Sequence, residues 1–132
     1  MYKTILASLF FLFSSTLLYA QSSTIPADVY EVKSFGHWEE GDKSGNYRIQ
    51  IVDQGFEHVT SSVYLEWIRI SMDGKEIIQS VPIIEINENF YSVSVKNVES
   101  DKLILSLTHT YSHEKSEIEI ITAEPGKYKA NE

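Results

Sequence analysis

From Val29 onward, apolar and polar side chains alternate almost one by one, the period of a β-strand with one buried face. Helical spacing is not sustained anywhere after that point. The clearest run is Tyr47-Arg48-Ile49-Gln50-Ile51, which puts Tyr47, Ile49 and Ile51 on one side and Arg48 and Gln50 on the other. Tyr91, Val93 and Val95 repeat the pattern, as do Leu103, Leu105 and Leu107, then Ile118 and Ile120. Seven β segments are predicted, beginning near residues 29, 46, 56, 75, 90, 102 and 116.

Two of these segments break phase. In Phe56–Ser71, Val63, Leu65 and Trp67 share one parity, while Ile68 and Ile70 share the other. Keeping both sets inside requires a bulge near Trp67–Ile68. The segment Glu76–Ile86 shifts between Ile83 and Ile84 and contains Pro82, which has no N–H for a ladder. That strand is predicted to lie at an edge or to be interrupted there. The connections carry the clearest topological signal. Asp73-Gly74 between two β runs predicts a tight hairpin, and Gly55 after Asp53-Gln54 supplies a residue suited to positive φ. Links of two to six residues join antiparallel neighbours and cannot make parallel crossovers. The expected fold is all-β: a single antiparallel meander of about seven strands forming a small β-sandwich, with an up-and-down β-barrel as the alternative.

The first twenty residues follow a different rule. Lys3 precedes an uncharged apolar run, Ile5–Leu18, and Ala20 ends a stretch with the layout of a secretory signal peptide. This run of fourteen apolar or small residues falls short of the roughly 20 that span a bilayer as a helix. The expected division is a signal peptide at 1–20, a flexible leader at 21–28, a β domain at 29–126 and a charged C-terminal tail at 127–132. Localisation is then periplasmic or secreted, with no stable membrane anchor after cleavage.

Charge and composition narrow the partners. The chain carries 11 basic and 19 acidic residues. Removing residues 1–20 takes away only Lys3, leaving a net charge of −9. So acidic a surface repels phosphate backbones, so no nucleic-acid partner is expected, and a cationic protein or small ligand is the easier match. Cysteine is absent, so the core must hold without disulfides, and thiolate chemistry is excluded. No nucleophile elbow, zinc-binding His-Glu-X-X-His, phosphate-cradling loop or calcium loop occurs. No catalytic residue, cofactor or metal ligand set is assigned.

The most distinctive stretch is Gly36-His37-Trp38-Glu39-Glu40-Gly41-Asp42. Read as a loop, it presents Trp38 among acids, able to stack on a ligand or receive a cation. The alternative is that Trp38 folds back onto the core. Trp38, His37, Glu39 and Glu40 are the candidate binding residues. Glu57 and His58 are adjacent, so on a strand they face opposite ways. His109 and His113 could share a metal, with Glu114, only if the intervening turn brings them together. Glu66, between Leu65 and Trp67, is expected to face water. The functional expectation is an exported, non-enzymatic binding or interaction module. The alternatives are an acidic inhibitor or accessory subunit of a cationic hydrolase and, less favoured, a small metal-dependent hydrolase.

Overall fold

A computed structural model describes residues 25–132. The expected signal peptide and the first half of the expected leader, 21–24, lie outside the described residues. Two four-stranded antiparallel sheets face each other. The first is built from β1 (Val29–Glu40), β2 (Lys43–Gln54), β3 (Thr60–Ser71) and β4 (Gly74–Pro82), in that spatial order. The second holds β5 (Tyr91–Glu99), β6 (Lys102–His109), β7 (Lys115–Thr122) and β8 (Tyr128–Asn131), again in chain order. The protein is therefore a small β-sandwich made from one eight-strand meander, and the sheets do not close into a barrel. The eighth strand lies in the segment expected as a charged tail: Ala130 pairs with Ile120 and Tyr128 with Thr122.

The sequence places the crossing between sheets at Pro82. β4 ends there, at the edge of the first sheet, because proline cannot extend the ladder. The chain then turns inward: Ile83 is buried and its N–H donates to the Val63 carbonyl at 2.9 Å. A single helical turn, α1 (Ile84–Asn87), buries Ile86. The Asn87 amide accepts from the Val63 N–H (2.7 Å) and donates to the Val63 carbonyl (3.0 Å). A side chain thus satisfies the backbone groups that β4 no longer reaches.

The inner faces interlock around Tyr47, Ile49 and Ile51 of β2, Val63, Leu65 and Trp67 of β3, the three leucines of β6, and Ile118 and Ile120 of β7. Burying one such aliphatic side chain contributes about 1.5–3 kcal/mol. Phe35, Tyr47 and Trp67 form an aromatic file with centroids 5.4 and 6.0 Å apart. The Trp67 indole N–H reaches across to the Ala123 carbonyl at 3.3 Å. The expected bulge is present: the β3–β4 register shifts between Trp67 and Ile68. The hairpin after it also forms, with Met72-Asp73 as its tip and Gly74 (φ +125°) opening β4 opposite Ser71.

Where β5 lies along the first sheet, side chains cap its outward N–H groups. Ser61 Oγ accepts from Val93 N (3.0 Å) and donates to Asp53 Oδ1 (2.6 Å). The Glu31 carboxylate accepts from Val95 N at 3.3 Å. These contacts satisfy an edge strand without adding a strand to it, which keeps two sheets instead of one closed wall.

Candidate functional site

The stretch expected to be a binding loop is the end of a hairpin, and its tryptophan belongs to the core. β1 runs through it to Glu40, and only Gly41-Asp42 form the turn. Phe35 pairs with Tyr47 and Trp38 with Gly45, so Gly36 and His37 together oppose a single residue, Asn46. This is a β-bulge with its glycine left-handed, φ +59°. It resets the phase, so that Phe35 and Trp38 both point inward although three positions apart. Trp38 is 4% exposed, and its indole N–H donates to the Asn46 carbonyl at 3.1 Å. A Cβ on Gly36 would lie 2.0 Å from the Ser100 carbonyl oxygen, so the bulge also lets the β5–β6 turn approach. Trp38 is thus not available as an exposed stacking surface. His37, Glu39 and Glu40 remain exposed, with His37 Nε2 3.0 Å from Glu39 Oε1.

The other candidates are dispersed. His37 lies opposite Asn46, and His58 lies beyond Gln54, some eight residues along β2, or roughly 27 Å at strand rise. They do not converge. Glu57 and His58 sit in the connection 55–59, because β3 begins at Thr60 and not near residue 56. Glu66, expected to face water, is instead buried at 5% exposure, because its cross-strand partner Arg48 covers its carboxylate in an ion pair. His113 adopts φ +61° in the β6–β7 turn and donates its N–H to the His109 carbonyl at 2.9 Å. The turn folds the backbone back, yet among the described residues no three His, Asp or Glu side chains gather to hold a metal.

What the fold does assemble is an aromatic end opposite the Trp38 hairpin. Three connections meet there: 55–59, the residues leading into β5, and the β6–β7 turn. Thr110 locks them. Its N–H donates to the Phe90 carbonyl (2.8 Å) and its hydroxyl to the Val59 carbonyl (2.8 Å), and it is buried in doing so. On this frame, Tyr111 lies 5.3 Å from His58, 5.5 Å from Phe90 and 6.2 Å from His109. His109 in turn meets Tyr91 edge to face at 5.7 Å. The rings are mutually tilted, so they form a nested cluster and not a flat shelf. Phe90 is 54% exposed, Tyr111 58%, and Phe56, on the same connection as His58, 96%.

Beside this cluster lies a pocket of about 540 Å³ based on Leu107, with Tyr91, His109, Glu114 and Ser116 among its walls. Ser112 N–H donates to His109 Nδ1 at 3.1 Å, which puts the proton of the neutral ring on Nε2 and fixes the ring's orientation. The sequence does carry a trace of this site: Phe56, Phe90 and Tyr111 are large aromatics placed in polar turns. The meeting of Phe90 with Tyr111, and of the Phe56 connection with both, was not readable, because these segments lie more than twenty residues apart. No family model matches the chain, and no match was found among curated proteins or solved structures.

Proposed function

We propose that the protein is an exported, non-enzymatic binding module that engages a protein partner or a small ligand through its aromatic end. The carrying observation is the exposure of Phe56, Phe90 and Tyr111 on connections pinned to one another by Thr110. A small domain gains nothing by leaving large rings in water, and rigid aromatic anchors are what binding surfaces concentrate. Hydrogen-bonded connections also spare a binder part of the ordering cost on association. Export is supported by the Lys3, Ile5–Leu18, Ala20 layout. The acidic charge supports a cationic partner, and the rings supply its apolar contact.

The test is a peptide selection against the folded chain, followed by binding to a Phe56→Ser/Phe90→Ser/Tyr111→Ser variant. All three positions are exposed, so the variant should fold with a similar melting temperature. Selected peptides should lose at least about tenfold in affinity, the equivalent of one 1.4 kcal/mol anchor. Equal affinity for a folded triple variant would refute the aromatic end as the binding surface.

A further inference from the structure

Deepening the binding reading above, and resting on it, we propose that the pocket beside the aromatic end is a cage for one basic side chain, an arginine or lysine of the partner. Three features combine. First, it is a concave site with an apolar base at Leu107. Second, two of its walls are rings set almost at right angles: Tyr91 and His109 meet at 85°. Perpendicular rings offer a cation more than one π-surface within reach, which a flat shelf cannot do. His109 is held in this attitude by the Ser112 N–H and by its edge-to-face contacts with Tyr91 and Tyr111, so the cage exists before any ligand arrives.

Third, the rim is acidic. Glu114, Glu117 and Glu132 line the pocket against a single cation, Lys115. Glu117 is engaged by Lys96, whereas Glu114 and Glu132 form no ion pair among the described residues. A guanidinium or ammonium entering over Leu107 would lay its stem on apolar surface, its charge against the Tyr91 ring, and its donors toward two carboxylates. An anionic ligand would meet the same carboxylates and the negative faces of the rings. A neutral sugar would prefer a flat platform.

The experiment is an NMR titration of the ¹⁵N-labelled full chain with acetyl-Gly-Arg-Gly-amide and with its citrulline counterpart, which keeps the shape and removes the charge. The arginine peptide should shift the amide signals of Tyr91, His109 and Ser116, and the citrulline peptide should leave them in place. Glu114→Gln, an exposed substitution, should weaken the arginine peptide about threefold, and raising salt should weaken it further. Equal shifts from both peptides, or none at these three residues, would overturn the cage. If the cage fails while selected peptides still depend on Phe56, Phe90 and Tyr111, the binding module stands without this ligand chemistry. If those peptides ignore the three rings, the module reading itself falls.

Discussion

Replacing Trp38 by alanine distinguishes a core tryptophan from a loop tryptophan. The side chain is 4% exposed and packs in the same cluster as Phe35 and Tyr47. Removing a buried tryptophan costs about 3–5 kcal/mol, combining lost transfer energy with the cavity left behind. Its hydrogen bond to the Asn46 carbonyl adds no large separate penalty, because Asn46 is only partly buried and water can replace the donor. We therefore expect a loss of about 4 kcal/mol. A domain of this size has a total stability of roughly 5–15 kcal/mol, so much of the margin disappears. The melting temperature should fall by about 15–25 °C. Urea unfolding is the appropriate assay. Trp67, the second of two tryptophans, is buried and remains as the fluorescent reporter. The midpoint should drop sharply while the slope with denaturant stays nearly constant, since the surface exposed on unfolding changes little. A loss under about 1 kcal/mol with an unchanged slope would refute the bulge argument and return Trp38 to a solvent-facing loop.

Two further outcomes follow from the same structure. Gly36→Ala should cost about 2–4 kcal/mol, because alanine resists the left-handed φ and its methyl would press on the Ser100 backbone; an urea midpoint close to wild type would show that the bulge can relax. Tyr128 makes stability depend on alkaline pH. Burial, then its hydrogen bond to Glu85 (2.7 Å), pushes the phenol up to about 12, against about 10 in the unfolded chain. The unfolded chain therefore loses this proton first, and stability falls as pH rises from about 10 to about 12. Partial exposure reduces the effect to about 1 kcal/mol. The fall should shrink in Tyr128→Phe, and parallel stability curves for the two proteins between these pH values would contradict the assignment.

Much of the architecture was legible because it depends on neighbours in sequence. Alternation places Ile49, Leu105 and Ile120 inside whatever their strand pairs with, and the phase break at Trp67–Ile68 has to become a bulge. Pro82 cannot donate to a ladder, so its strand has to lie at an edge or be interrupted there. Short links force antiparallel pairing, and so the meander. The bulge at Gly36-His37 escaped the same reasoning. A glycine between Phe35 and Trp38 looks like a loop until the partner strand is known, because only Asn46 opposite the pair shows that two residues occupy one place in the ladder. β8 was obscured for a related reason: Tyr128 and Ala130 alternate with charged and polar residues over just four positions, and only pairing with β7 makes them a strand.

Local chemistry settled that this chain has an all-β, disulfide-free core, since side-chain alternation and the absence of cysteine are properties of the sequence itself. The tertiary structure alone decided which aromatics are spent on that core and which are left exposed. Trp38 and Tyr111 both stand among polar neighbours in the chain. The first is drawn inside by a bulge, and the second is held outside by hydrogen bonds from Thr110 to residues some twenty and fifty positions away. Burial is a property of what packs against a residue, and that depends on contacts distant in sequence.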